Sequence, residues 1–330
     1  MVEVVTLGEI TCPSGELVLL DGGHLGTWCG DGAPEEIDDP QIPPSADLEV
    51  VGRDAEAAAR SFDRQPGRRL YDIPLHAVAD FTAMFDGHCR EHGYDASLRR
   101  LPGQVPHRER IRRAIAGAEP YVMVCGLPVV PVGGLPTDRR LRVEAADSGD
   151  GDWAWIRVAV SDAPVAATRE LGHIGVDWAR LAFADADALS SWRHEASIDG
   201  LADTVFWGRD EEEVAAEFGA TRTGTPGDDN FGWLNLPVAV ALEKARALQA
   251  RREAEPERRF AFDFRPHSHH WRVMAGVRAS EYDAATIDVG GATILFAMTS
   301  VGDGYFPVHV DVDGGGVPVA IRVTIRSEED

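Results

Sequence analysis

Two β-favouring runs open the chain, Thr6 to Thr11 and Glu16 to Leu20, and between them Pro13-Ser14-Gly15 pre-sets one φ and permits a positive one. That pattern predicts a hairpin. From Gly30 to Pro44 the residues turn to Gly, Pro, Asp and Glu with little to bury, which marks a surface connection. The spacing then changes to threes and fours. Leu75, Val78, Thr82, Phe85 and Cys89 share one helical face, with Asp72 placed to cap, Pro74 in the first turn and Gly93 to end it, so 73–92 is expected as a helix. A second helix is expected after Pro106, where Ile111, Ala114 and Ile115 face inward, Gly117 supplies the stop, and Arg108, Arg110, Arg112 and Arg113 occupy the remaining surface.

Short apolar runs separated by Gly, Pro and Asp follow Pro120: Tyr121 to Cys125, Leu141 to Ala145, Trp153 to Val160 and Ile174 to Val176. Each has the length of a strand. Helices are predicted near Asp185 to Arg193 and over Asp210 to Phe218, the second with Asp210 as cap, three glutamates in its first turn and Gly219 beyond its end. A longer one is expected from an Asn235 cap, with Val238, Ala241, Leu242, Ala245 and Leu248 on its apolar face. Four strands close the chain, Thr286 to Val289, Ala292 to Thr299, Tyr305 to Val312 and Val317 to Ile325, joined by Gly- and Asp-rich turns into an antiparallel meander. In the last of them Ile321, Val323 and Ile325 alternate with Arg322, Thr324 and Arg326, as in a sheet with one face on a core and one in water. Together these elements predict an α+β fold, a largely antiparallel sheet core with a C-terminal meander and a helical insertion. The expected division is an N-terminal hairpin over 1–34 joining the main sheet, a mostly helical insertion over 35–118, and a β-rich main domain over 119–330.

Composition narrows the partners. A chain of 330 residues with 44% hydrophobic side chains can bury a sizeable core. Its 32 Lys and Arg stand against 55 Asp and Glu, a formal charge of −23, so its surface repels polyanions, and neither nucleic acid nor a membrane is an expected partner. Met1 to Val5 lacks the basic and apolar stretches of an export signal, and the apolar run Tyr121 to Leu135 is broken by Pro128 and Pro131, so a cytoplasmic location is expected. Cys12, Cys29, Cys89 and Cys125 are scattered singly, the pattern of reduced thiols rather than of a zinc or disulfide framework. No glycine-rich dinucleotide or P-loop signature, zincin helix or nucleophile elbow is present.

Three stretches carry a family resemblance. They are Leu7 to Val18 with Asp21, the central Val176-Asp177-Trp178-Ala179-Arg180-Leu181-Ala182-Phe183-Ala184-Asp185-Ala186-Asp187, and the closing Gly302-Asp303-Gly304-Tyr305-Phe306-Pro307-Val308. In this order they resemble a bacterial family known as domain of unknown function 4241, with Val301 where that pattern has tryptophan and no counterpart for residues 35–118. The resemblance implies that the first hairpin joins the later sheet and that the helical region is an insertion. Some members of the family sit among toxin and immunity genes, which implies a protein-binding role.

Candidate chemistry concentrates in His267-Ser268-His269-His270, with Asp263 and Arg265 before it and Trp271 after. If this piece is extended, His267 and His269 project to one face as half of a metal site, completed by a carboxylate or by His309. The competing reading is a polar lead-in to a strand. His309, Asp311 and Asp313 alternate with Val308, Val310 and Val312, which is either a row of functional groups or the solvated face of a sheet. Asp303 between glycines reads first as a turn residue, and Asp185 or Asp187 as a helix cap. From Arg99 to Arg113 six arginines accompany one glutamate, a reversal of sign that makes Arg108, Arg110, Arg112 and Arg113 either a docking face for an acidic partner or a contact to the protein's own acidic body. Two functions follow as expectations: a non-enzymatic protein-binding role of immunity type, or a hydrolase or other enzyme, assisted by a divalent metal, using the His267, His269 and His309 region, with His270, Asp303 and Asp311 as further candidate polar residues.

Overall fold

The computed structural model describes residues 4–37, 43–62, 67–117, 122–149, 151–225 and 230–326. Residues 38–42 of the predicted surface connection, and Pro120 and Tyr121 at the start of a predicted strand, lie outside them. The fold is α+β and divides into two compact units, Met1–Ser191 with Asp288–Asp330, and Trp192–Ile287. The first unit runs through β1 (Val4–Thr11), β2 (Glu16–Asp21), β3 (Ser45–Gly52), α1 (Ala55–Ser61), β4 (Arg69–Pro74), α2 (Val78–His92), β5 (Ala96–Arg100) and α3 (His107–Ile115). It continues with β6 (Val122–Val124), β7 (Leu127–Gly133), β8 (Arg140–Asp147), β9 (Trp153–Ala159), β10 (Ala167–Val176) and β11 (Arg180–Asp185). The second unit contains β12 (Leu201–Trp207), α4 (Glu211–Phe218), β13 (Thr221–Arg222), β14 (Phe231–Pro237), α5 (Val238–Ala254), β15 (Ala261–Pro266) and α6 (His269–Ala279). The last strands are β16 (Ala284–Val289), where the unit boundary falls, β17 (Ala292–Met298), β18 (Gly304–Val312) and β19 (Pro318–Thr324).

The first two strands do not form the expected hairpin. A turn at Cys12–Gly15, closed by Gly15 N–H to Cys12 O at 2.9 Å, sends them into different sheets. β1 pairs with β8 at the edge of a six-stranded sheet ordered β1-β8-β9-β19-β18-β10, whereas β2 lies between β11 and β7 in a second, ordered β16-β17-β11-β2-β7-β6. The physical reason is in the side chains: Leu17, Val18, Leu19 and Leu20 are all buried, so β2 needs protein on both faces, while β1 has only one such face. The closing meander is divided in the same way. β17 and β18 belong to different sheets, and the chain crosses between them through Thr299–Asp303, where Ser300 takes a φ of +66°. Contacts of β1 with β17, and of β10 with β7 and β2, pack the two sheets on each other around Ile10, Leu19, Phe183, Phe296, Val308 and Ile321.

Among the described residues, the stretch 35–118 holds strands as well as helices. It includes a three-stranded antiparallel sheet, β4-β3-β5, on which α1 and α2 pack through Leu48, Val50, Ala58, Phe62, Leu70 and Phe85. α2 starts at Val78 rather than 73, because Asp72 sits in β4 with φ +56° and directs its carboxylate to Arg110 instead of to a helix end. In α3, Ile111 is buried as expected, but so are Arg108 and Arg110. Asp185 accepts from the N–H groups of Asp187 and Ala188, capping only a short 3₁₀ turn, Ala188–Ser191. In the second unit Gly219 ends α4 in the left-handed conformation, while α5 begins at Val238 because Asn235 is itself left-handed at φ +54°. Asp210 makes no side-chain cap, since its carboxylate takes Arg209 and the Arg259 N–H. Among the described residues no helix is long and apolar enough to cross a membrane.

Candidate functional site

The predicted histidine cluster folds differently from an extended strand. β15 ends at Pro266, and Ser268 caps α6 by accepting from Trp271 N–H at 3.2 Å, so His267 and His269 fall in different elements. His267 stands between two carboxylates: Nδ1 is 3.0 Å from Asp199 Oδ2 and Nε2 is 3.1 Å from Asp203 Oδ1. Burial opposes its charge, but the hydrogen bonds and charges of Asp199 and Asp203 outweigh it and raise the imidazole above its ordinary range. Arg272 also pairs with Asp199. These groups line a cleft of about 410 Å³ within the second unit, with Arg265, Asn235 and Trp271 in its walls. The Arg265 guanidinium is 5.5 Å from the Trp271 ring centroid and donates to Asp263.

That arrangement is suited to holding charge in place and poorly suited to moving a proton. With each ring nitrogen already engaged by a carboxylate, neither is left open to ligate a metal or to exchange a proton with a substrate. His269 Nδ1 accepts from Arg193 N–H at 2.9 Å, and the His270 ring stacks on His194. His309 belongs to the other unit, where it pairs in register with Glu170 and Arg322, so it does not share a strand or unit with His267. Asp311 accepts from Thr168 Oγ1, and Asp313 accepts from Gly315 and Val317 N–H as a turn residue. Among the described residues no group of three or more His, Cys, Asp or Glu is placed to hold a metal ion. Burial and the neighbouring Asp185 push the Cys12 thiol up to about 12, and burial pushes Cys125 up to about 11, so neither supplies a thiolate at neutral pH.

The arginine run turns inward. Arg108 is 4% exposed and joins Glu16 to Asp187, and Arg110 is fully buried between Asp47 and Asp72, which takes both out of any partner surface. Arg112 and Arg113 stay at the surface, paired with Asp31 and Glu109. The acidic body that neutralises the run is the protein's own.

A different set of residues forms a prepared surface in the first unit. At the end of the β10–β18 ladder, where Gly175 pairs with Tyr305 and Val176 with Gly304, the turn after β10 meets the crossing loop before β18. Asp303 Oδ1 accepts from Ala179 N–H at 2.8 Å, and Ala179 O receives Thr299 N–H at 2.9 Å. From the other side the buried carboxylate of Asp21 accepts from the N–H groups of Asp177 (2.6 Å), Trp178 (3.0 Å) and Gly23 (2.7 Å). Burial holds that carboxyl above its ordinary range despite the three amides. Gly23 has to be glycine, because a Cβ there would lie 2.4 Å from Trp178 Cγ. Ala179 and Ser300 are held at φ +54° and +66°, conformations that persist only where their surroundings fix them.

Trp178, in the turn after β10, is 51% exposed and Tyr305, at the start of β18, is 68% exposed; Asp177, Val301 and Asp303 are exposed as well. The three stretches that carry the family resemblance meet here. Of these residues only Asp303 stands out by charge and turn position in the sequence. The signal for Trp178 and Tyr305 is a large aromatic in a Gly- and Asp-rich turn at a strand end, where a core role is least expected. Replacing Asp21 by alanine leaves three amides without their acceptor and is expected to cost about 2–3 kcal/mol. Urea denaturation measures the loss, and hydrogen exchange at Asp177 and Trp178 should speed up together with it; unchanged protection at those two amides would show that Asp21 does not hold the turn.

Comparison with protein-family models, with curated proteins and with solved structures finds no match to this chain.

Proposed function

We propose that the protein works by binding a basic protein partner through the Trp178–Tyr305 corner, in a cytoplasmic role of immunity type, without nucleic acid or membrane. The observation that carries this reading is the corner itself: Trp178 exposed on a turn held by Asp21 and Asp303, and Tyr305 exposed at the start of β18, the strand that pairs with the end of β10 just before that turn. Exposed tryptophan and tyrosine on a rigid backbone lose little conformational freedom on association, which is why such residues dominate binding energies. Charge complementarity sets the partner's sign. The exposed Asp177 and Asp303 stand one and two residues from Trp178 and Tyr305 in the chain, and the whole chain carries −23. The indole face also accepts a cation, since the Arg180 guanidinium rests 5.7 Å from its centroid. A partner presenting lysine or arginine beside an apolar side chain meets both requirements.

The rival reading, a metal-assisted hydrolase built on His267, His269 and His309, has less support. Both ring nitrogens of His267 are engaged by Asp199 and Asp203. Kinship with the domain of unknown function 4241 family, and with it the view of residues 35–118 as an insertion into a family sheet core, belongs to the same proposal.

The test compares wild type with the double variant W178A/Y305A, tagged and incubated in the same cell extract, followed by reconstitution from purified components. A polypeptide of basic isoelectric point should bind wild type stoichiometrically and lose roughly 30-fold or more in affinity for the double variant, the effect of removing about 2 kcal/mol of anchor contacts. Equal affinity for both proteins would remove the corner from the proposal. Turnover of a small molecule with no stoichiometric partner would remove the binding role.

A further inference from the structure

The cleft of about 410 Å³ in the second unit has the size of a site for a small organic molecule, and the partner-binding corner makes no use of it. Three strands and a helix build it. Asp203 of β12 and Arg265 of β15 are cross-strand partners, Leu234 and Asn235 come from the end of β14, and α6 adds Arg272, Ala275 and Arg278 at steps of three along one face. Leu234, Trp271 and Ala275 give the wall a half-buried apolar part.

The acceptors in that wall are largely committed. Asp199 Oδ1 takes Ser197 Oγ at 3.1 Å and Leu201 N–H at 2.9 Å, while its Oδ2 meets His267 Nδ1 at 3.0 Å and Arg272 Nη2. Asp203 spends Oδ1 on Asn235 N–H at 2.7 Å and on His267 Nε2 at 3.1 Å. A cationic ligand would have to displace these bonds to reach either carboxylate at the oxygens they occupy.

Arg272 is the opposite case. Its side chain is 45% exposed, and among the described residues its guanidinium bonds only through Nη2, to Asp199, so Nε–H and the Nη1 amino group stay open to an acceptor arriving from solvent. The charges of the wall favour the same kind of visitor. Arg265, Arg272, Arg278 and His267, whose charge Asp199 and Asp203 support, are four cations against three carboxylates, those two and the Asp263 that pairs with Arg265. In a chain of net charge −23 this is a local reversal of sign, with one positive charge in excess. Such a cleft draws in a single negative charge and lacks the excess to hold two.

We infer that this cleft is a binding site for a small organic monocarboxylate, whose apolar body lies against Leu234, Trp271 and Ala275 and whose carboxylate takes an open donor of the Arg272 guanidinium. The apolar wall supplies contact area, the excess positive charge selects an anion over a neutral molecule, and Arg272 fixes where the charged end sits.

Benzoate and benzamide test this directly, because they share a shape and differ in charge. Titrated into the full-length protein and followed by the ¹H–¹⁵N resonances of the arginine side chains, benzoate should bind saturably and shift Arg272 Nε. It should bind about tenfold more tightly than benzamide, the factor that one charge-assisted hydrogen bond is worth. R272M should abolish that preference, and R272K, which keeps the charge without the planar fork, should retain part of it. No saturable binding of benzoate to wild type, an unmoved Arg272 resonance, equal affinity for benzamide, or a preference that survives in R272M would each overturn the assignment. The wild-type titrations alone decide the matter if R272M does not fold, and none of these outcomes depends on the Trp178–Tyr305 corner.

Discussion

Replacing Arg110 by methionine is expected to destabilise the first unit by about 3–5 kcal/mol, the cost of leaving a buried charge without its partner. Its side chain and that of Asp47 have no exposed surface, and that of Asp72 has 7%, so solvent screening does not soften the loss. The guanidinium donates from Nε to Val105 O at 2.8 Å, from Nη1 to Met123 O and Asp72 Oδ2 at 2.8 Å each, and from Nη2 to Asp72 Oδ1 at 2.9 Å, while stacking 4.3 Å from the Tyr71 centroid. One side chain thus ties β3, β4, α3 and β6 together. Burial holds the Asp47 carboxyl above its ordinary range even with Arg110 and two amides favouring its charge, so removing the cation exposes that penalty in full. R110K should recover only part of the loss, because an ammonium cannot make the bidentate pair with Asp72. Urea denaturation supplies the measurement, and a double-mutant cycle with D72N should show that the two losses do not add. A cost under about 1 kcal/mol for R110M, or full additivity with D72N, would mean that the network does not hold these elements together.

How much of this was legible in the chain depends on the range of the forces involved. The alternation of Ile321, Val323 and Ile325 with charged and polar neighbours located β19, because one strand with one buried face records its own environment. Ile111 and the glycine after α3 located that helix for the same local reason. Arg110 was illegible, since on a helix rich in arginine nothing near it in sequence signals burial. Its partners Asp47 and Asp72 lie 63 and 38 residues away. β3 is hard to see in the chain although Ala46, Leu48 and Val50 alternate, because the intervening Asp47 and Glu49 are charged, and only the fold buries the first and pairs the second with Arg69 and Arg99. The separation of β1 from β2 was recorded in composition, as four consecutive buried aliphatics against an alternating run, but a Pro-Ser-Gly turn points to a hairpin more strongly than it points to a change of sheet. At the histidine cluster the decisive residue is Ser268, whose hydroxyl begins a helix where the spacing of His267 and His269 suggested an extended piece.

Below about pH 6.5 the stability of the protein should fall through His107, and the sign follows from which state binds the proton. The unfolded chain titrates this ring near its ordinary 6.5, while burial and Arg110 lower the folded value to about 3. As pH drops through that window the unfolded state takes up a proton that the folded state refuses, at about 1.4 kcal/mol per pH unit, or roughly 4–5 kcal/mol across the whole interval. His267 has the opposite sign. Its raised folded value contributes stability that is complete below about 6.5 and is lost as pH rises through the folded value, so it shapes the neutral and alkaline side instead. Asp21 and Asp47, raised by burial, gain rather than lose on acidification. The total profile therefore mixes signs, and the clean observable is the difference between wild type and H107F at each pH, in which every other group cancels. That difference should shrink by about 1.4 kcal/mol for each unit between about pH 6 and about pH 4 in urea titrations. A difference that stays flat to within about 0.5 kcal/mol over that range would show that the folded ring takes up a proton as readily as the unfolded one.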